Sequence, residues 1–326
     1  MRLCTASQLC TAYVHEMSWI TRTVVGGAAT AVAATSALWM ATPATAEPLD
    51  GVAAYLSTRQ GVVQVALYDN TTGKTTSYLT DDDTQYTASI QKVDILAGWL
   101  RTYQNDKVKV PTQIPYSTQY LMTQMIEASD NAAATALFSF GGGCQAFTKF
   151  NRMIPMRNTT VGCETPTYYG WGNTETTARD QVKLMKVFSY GAEAKATKAG
   201  GRMILRSPAR KYGLSLMKSI QAEQSWGVTC GPWGTTCDPP TYAPPNPAVT
   251  VAHKNGWKTL PTCTLAVTEC PWQVNSVGWV KGQGRDYVIA VLTTDDPVGT
   301  GNLFGLNYGI DTIQDVSQQV WQNLAN

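Results

Sequence analysis

Runs that read as β-strands stand at both ends of this chain, and runs that read as helices fill its middle. Val62–Tyr68 and Lys74–Leu79 flank the turn residues Asp69-Asn70-Thr71-Thr72-Gly73, which predicts a hairpin. Far downstream, Ala248–Trp257, Trp272–Lys281 and Asp286–Thr294 predict three more strands. Between these ends, Ser89–Gln104 carries Ile90, Val93, Leu96, Ala97 and Leu100 at helical spacing. Gln119–Glu127, Asn131–Phe140, Gln145–Ile154 and Thr177–Tyr190 also read as helices, and helical pattern runs with breaks to about Gln224. Gly141-Gly142-Gly143 stops one of them. Asp311–Leu324 predicts a closing helix. Strands so far apart in sequence meet if the chain ends come together in one antiparallel sheet, with the last helix on its face. The expected fold is therefore α+β: an antiparallel sheet with flanking helices, a mostly helical lobe, and a cleft between them that is a natural place for a site. Residues 155–175 read as a loop, and Gly227–Pro247, with six prolines, predicts a segment without regular structure.

The N-terminal segment is expected to leave. Thr23–Ala46 carries no charged residue, follows Arg22, and ends in the small-x-small signal Ala44-Thr45-Ala46. A secretory signal of normal length starts at Met17, which makes residues 1–16 an upstream extension. The run is long enough to span a membrane, but its Thr, Gly and Pro content and its cleavage motif favour removal over a stable anchor. No Arg-Arg pair precedes it, so the general secretory route is expected. Residues 47–326 would then be one functional unit of two lobes, secreted or held in a periplasm-like space. Its six cysteines, Cys144, Cys163, Cys230, Cys237, Cys263 and Cys270, read as disulfides in that setting. Loop closure favours pairing of nearest neighbours, although fifteen connectivities are possible. A four-cysteine metal site would ask for tighter spacing.

Charge and histidine content exclude several functions. The chain has 25 basic and 23 acidic residues and a net charge of +2, too balanced for a nucleic-acid binder. With His15 lost alongside the leader, His253 is the one histidine left. A zinc hydrolase needs several His or carboxylate ligands. No metal or cofactor is expected, and nothing requires more than a monomer.

The chemistry points instead to serine and lysine. Ser89-Ile90-Gln91-Lys92 opens the first strong helix, where residues three apart share a face, so the Lys92 amine can reach the Ser89 hydroxyl. The helix N-terminus favours the negative charge that develops during acyl transfer. A second copy, Ser215-Leu216-Met217-Lys218, reads as an accidental match on a helix. Ser129-Asp130-Asn131 lies between two helical runs and doubles as a helix cap. In the functional reading, Ser129 relays a proton to a departing nitrogen and Asn131 holds a substrate amide. Lys254-Asn255-Gly256 falls on a predicted strand, unlike the matches Lys198-Ala199-Gly200 and Lys211-Tyr212-Gly213. Lys254 would anchor a substrate carboxylate, and the N–H groups of Ser89 and Trp257 would form an oxyanion hole. His253, adjacent to Lys254, should point to the other face of the strand and act as a packed or surface residue.

The order S-x-x-K, S-D-N, K-x-G resembles the class A β-lactamase-like serine hydrolases, the superfamily that also holds the penicillin-binding proteins. Leu121–Leu137, Thr174–Met185, Val249–Trp257 and Trp272–Thr294 resemble corresponding helices and core strands, so the resemblance covers most of Val62–Asn326. It implies an acyl-enzyme at Ser89, with Lys92 as base or relay, Ser129 serving the leaving nitrogen, and Asn131, Lys254, Asn255 and Gly256 as the substrate-binding set. The substrate would be a β-lactam or a cell-wall peptide. Three departures stand out. No E-x-x-x-N occurs in residues 140–190, which leaves Glu164 as the local candidate for a deacylating base. Position 255 is Asn where the family usually has Thr or Ser. Lys92 and Ser129 are also close in sequence for a class A enzyme, which implies a trimmed helical lobe, with Gly227–Pro247 covering another face of the cleft. Tyr168, Tyr169 and Trp171 are candidates for substrate contact or for packing of the long loop.

Overall fold

Both ends of the chain enter one sheet. In the computed structural model the described residues are 47–79, 83–104, 112–163, 170–190, 203–236, 248–260, 263, 266, 269–299 and 304–325. After the short helix α1 (Val52–Leu56), β1 (Val62–Asp69) and β2 (Lys74–Tyr78) form the expected hairpin. β3 (Gln85–Tyr86) leads to a 3-10 turn, Ala88–Ile90, which continues into α2 (Gln91–Tyr103). The helical block follows as α3 (Tyr116–Glu127), α4 (Asn131–Phe140) and α5 (Gly143–Met153). β4 (Glu175–Thr176) pairs with β3, and α6 (Ala178–Ser189) and α7 (Ser207–Lys218) complete the block. β5 (Val249–Thr259), β6 (Trp272–Gly282) and β7 (Arg285–Asp296) return to the sheet, and α8 (Gly305–Asn323) closes the fold. The main sheet is antiparallel throughout, in the order β2-β1-β7-β6-β5.

Helices cover this sheet on both faces, so its inner strands are buried on both sides. Along β7, Tyr287, Ile289 and Val291 join one core with Ile313, Val316 and Val320 of α8. The alternate residues Val288, Ala290 and Leu292 join the other core with the helical block, including Leu96, Leu100, Met185 and Phe188. Full burial of each such side chain contributes about 1.5–3 kcal/mol, so a one-residue slip in register would exchange the two cores. β5 is an edge strand, bonded to β6 alone among the described strands. Its other edge meets the Ala88–Ile90 turn, which brings the two lobes together.

The structure departs from the sequence expectations at several points. Gly227–Thr236 is a 3-10 helix, not an irregular segment. It packs against α8, with Gly231 beside the Ser317 carbonyl and the Tyr287 hydroxyl, so it covers the α8 face rather than the cleft. Five of the six prolines follow it, in residues 237–247 outside the described set, and a 3-10 helix lacks the 3.6-residue period that marks an α-helix. α8 begins six residues before the expected start, and α1 is too short to show a period. Cys144–Cys163 and Cys263–Cys270 are disulfides. Cys230 is also disulfide-bonded, while Cys237 and the leader lie outside the described residues. Among the described residues no helix is long and apolar enough to cross a membrane.

One buried acid on α2 has a measurable consequence. Asp94 is fully buried and accepts from Gln91 Nε2 (2.7 Å) and Asn151 Nδ2 (3.0 Å), while Gln91 Oε1 and Asn151 Oδ1 are left unpaired. Burial pushes its pKa up to about 7. The folded chain therefore holds a proton that the unfolded chain releases at lower pH, and this contribution to stability is lost as pH rises toward 7. Asp94→Asn keeps an acceptor and adds a donor, so it should raise the melting temperature by about 2–4 °C at pH 8. It should change it little at pH 4; thermal melts of both proteins across that range check this, and a pH-independent difference would contradict it.

Candidate active site

The Ser89 turn is held by the sheet before any chemistry is considered. Ala88 adopts a positive φ of 45°, and Ser89 follows it at the head of the Ala88–Ile90 turn and α2. The buried Asn275 amide on β6 donates to the carbonyls of Tyr86 (2.9 Å) and Thr87 (3.0 Å). Gln273 Nε2 also donates to the Tyr86 carbonyl. From β5, Gly256 presses on the same turn: a Cβ there would stand 2.6 Å from Ser89 N and 2.7 Å from Ile90 N. Glycine is thus required by close approach of two backbones.

Lys92, one turn along α2, gathers the other motif. Its Nζ lies 2.9 Å from Ser89 Oγ, 2.6 Å from the Ser129 carbonyl, 3.0 Å from Ser129 Oγ and 2.7 Å from Asn131 Oδ1. Ser129 joins α3 to α4 in a left-handed conformation (φ 57°), which turns both its carbonyl and its hydroxyl toward Lys92. Asp130 caps α4 by accepting from Ala133 N at 2.6 Å. The tripeptide therefore caps a helix and also meets Lys92. Burial pushes the Lys92 pKa down to about 7, and the Asp130 carboxylate pulls it partly back up. The Trp171 ring lies 5.0 Å from the same nitrogen and is held by its Nε1–H bond to Thr135 Oγ1 (3.0 Å).

The Lys254-Asn255-Gly256 strand is arranged differently from the sequence expectation. Lys254 is fully buried, and its ammonium donates to the Asn255 carbonyl (2.9 Å) and to Gln224 Oε1 (3.4 Å). Burial, with the Lys92 charge nearby, holds its pKa well below the ordinary lysine value. It offers no exposed surface to a substrate carboxylate. Asn255 was expected to bind substrate, but it is fully buried and turned away from the cleft. Its Nδ2 donates to the carbonyls of Gln224 (2.8 Å) and Trp226 (3.1 Å), and its Oδ1 accepts from Ser276 Oγ (2.6 Å). Strand alternation sends Lys254 and Asn255 to opposite faces. His253 is buried with Nε2 3.3 Å from the Gln224 carbonyl, and burial pushes its pKa down to about 4. It is the packed, neutral histidine that strand alternation implies.

A pocket of about 370 Å³ opens beside Ser89, lined by Asn131, Trp171, Trp257, Lys258 and Leu260 among others. Ser89, Asn131 and Trp257 of the expected set thus share one cavity, and Lys92 and Ser129 stand behind Ser89. Glu164, Tyr168 and Tyr169 lie outside the described residues. Ser215 does not join this group: it lies on the exposed side of α7, with its hydroxyl bonded to the Tyr212 carbonyl. Gln224, Asn275 and Lys258, which donates to Asn173 Oδ1, were not singled out from sequence. None belongs to a local motif, and Asn275 shares its strand with the polar Gln273, Ser276 and Lys281, so the sequence did not mark it out. Among the described residues no group of three His, Cys, Asp or Glu is placed to hold a metal.

The model of the Beta-lactamase enzyme family matches residues 49–324. The fold is similar to that of PBP-A (TM-score 0.58, 19% identity, 84% of this chain and 94% of that chain). A mutant of PBP-A, seen as an acyl-enzyme complex with penicillin-G, matches with the same TM-score of 0.58 and 19% identity, over 84% of this chain and 95% of that one. A class A beta-lactamase from Mycobacterium abscessus matches with TM-score 0.59 and 18% identity, over 85% of this chain and 98% of that one. No curated protein sequence matches the chain at a significant level.

The contact of Gly256 with the Ser89 turn yields a direct test. Gly256→Ala should push the turn off β5 and lower the rate of Ser89 labelling by a fluorophosphonate by roughly 100-fold, the cost of about 1 Å of misplacement. Gel-based labelling measures this, and labelling at the unsubstituted rate would contradict the close approach.

Proposed function

The chain belongs to the Beta-lactamase enzyme family and is a serine hydrolase, and on that premise we propose that it opens β-lactam amides through an acyl-enzyme on Ser89. The observation that carries the reading is the set of four oxygens around Lys92 Nζ. Two of them, the Ser129 carbonyl and Asn131 Oδ1, are acceptors only. A neutral amine gives its two protons to those two and turns its one lone pair toward the Ser89 hydroxyl. With Ser89 Oγ at 2.9 Å, it is poised to take the serine proton as Ser89 attacks the carbonyl carbon. The new Ser89 Oγ–C bond leaves a tetrahedral oxyanion, which the N–H groups of Ser89 and Trp257 stabilise. Collapse breaks the C–N bond. The proton passes from Lys92 to Ser129 Oγ, 3.0 Å away, and on to the leaving nitrogen. A burial-lowered pKa near 7 keeps a large share of Lys92 neutral at physiological pH.

Export is part of the reading, supported by the disulfides Cys144–Cys163 and Cys263–Cys270, which suit an oxidising compartment. The partner is a small β-lactam or a cell-wall peptide, and the chain acts as a monomer without metal or cofactor. A second reading, of the penicillin-binding, D,D-peptidase or esterase type, is favoured by one observation. No E-x-x-x-N occurs in residues 140–190 to supply a deacylating base, so the acyl-enzyme would persist.

Intact-mass spectrometry after mixing with a penicillin tests both. An adduct on Ser89 that forms and clears supports lactam hydrolysis, and one that persists supports the second reading. Ser89→Ala should abolish the adduct and Ser215→Ala should leave it intact. The absence of any adduct on the unsubstituted chain, or equal loss in both variants, would contradict acylation at Ser89.

A further inference from the structure

Gln224 belongs to none of the three motifs, yet it touches both sides of the cleft. It lies in a 3-10 turn, Ala222–Gln224, between α7 and β5, and is 93% buried, with a relative exposure of 7%. Its Nε2 donates to the Ala128 carbonyl at 2.9 Å, on the residue just before Ser129. Gln221 N donates to the Glu127 carbonyl at 3.0 Å, which ties the same turn to the end of α3. On the other side, Gln224 Oε1 accepts from Lys254 Nζ at 3.4 Å. The Gln224 carbonyl accepts from Asn255 Nδ2 at 2.8 Å and stands 3.3 Å from His253 Nε2. Asn255 in turn is braced by Ser276 Oγ at 2.6 Å, and that hydroxyl accepts from Val228 N at 3.1 Å. One side chain and its carbonyl thus connect the Ser129 turn, from the helical lobe, to three consecutive residues of the edge strand.

We propose that Gln224 is a positioning residue that holds the Ser129 turn against β5 so that Ser129 is placed to deliver the proton to the leaving group, with Asn255 holding Gln224 in place rather than binding substrate. The proposal rests on the acyl-enzyme reading above. An amide suits the task because it donates to the Ala128 carbonyl and accepts from Lys254 at once. Its location also accounts for the Asn at position 255: a hydroxyl there has one proton and lacks the two N–H donors that reach the Gln224 and Trp226 carbonyls.

Two acyl donors with the same acyl chain but different leaving groups separate positioning from general loosening. A β-lactam needs its departing nitrogen protonated, whereas an activated thioester leaves without a proton. Gln224→Met preserves volume and removes both hydrogen bonds. Acylation of Ser89 by the lactam, followed by stopped-flow and intact mass, should fall by at least roughly 30-fold, within the range that a positioned general acid supplies. Acylation by the thioester should stay within about threefold of the unsubstituted rate. Equal losses on the two donors, or no loss on either, would overturn the proposal while leaving the acyl-enzyme reading intact. An unsubstituted chain that neither donor acylates would overturn both.

Gln224→Glu provides a second arm should the Met variant not fold. The groups facing Lys254 are Lys92 from α2, His253 on its own strand, and the Gln224 amide. A carboxylate replacing that amide keeps an acceptor for Lys254 but removes the donor to the Ala128 carbonyl, so lactam acylation should again fall by roughly 30-fold while thioester acylation stays within about threefold. Equal rates or equal losses on the two donors would overturn the proposal.

Discussion

The site is organised around a lysine nitrogen kept out of water. Lys92 Nζ has four oxygens within 3.0 Å, from Ser89, Asn131 and, twice, Ser129. No side chain that reaches it by hydrogen bond carries a full negative charge, so burial decides its protonation and draws the pKa down to about 7. Those same bonds tie α2 to the α3–α4 junction. Removing the amine would leave the Ser129 carbonyl and Asn131 Oδ1 without this donor, so the group proposed as the base also holds the cleft wall together.

That arrangement depends on the sheet. β7 fills two cores with alternate side chains, and this double burial fixes the register of β6 and, through it, of β5. β6 then contributes Asn275 and Gln273 to the carbonyls ahead of Ser89, and β5 contributes Gly256 to its backbone. The positive φ of Ala88 is sustained by these contacts from outside the turn rather than by the turn itself. Ser89, Lys92 and Ser129 thus lie on the helical side of the cleft and are braced from the sheet side.

Much of this was legible in the sequence, for identifiable reasons. Strands rich in apolar and β-branched residues made β1, β6 and β7 stand out, and the three-residue spacing placed Lys92 on the same helix face as Ser89. The two-faced strand was harder to read. Alternation separated His253 from Lys254 in the sequence reading, but it did not show that the Ala222–Trp226 segment waits on the face that Asn255 shares with His253. Hence Asn255 reads as a substrate ligand in sequence and as an internal brace in three dimensions. Gln224 was invisible because it lies in an irregular segment and acts on residues about 30 and 96 positions away. The Gly227–Thr236 helix was hidden by its proline-rich neighbour and by the absence of a 3.6-residue period.

The claim on which the rest stands is that Lys92 titrates near neutrality inside the folded chain. Carbon-13 labelling of lysine, with the Lys92 Cε resonance assigned from its loss in Lys92→Arg, allows that nitrogen to be followed from about pH 4 to pH 11. A titration midpoint near pH 7 is the result this account requires. A midpoint at the ordinary lysine value of 10.5 would mean that the nitrogen is a solvated ammonium, and it would contradict the role of Lys92 as the base that activates Ser89.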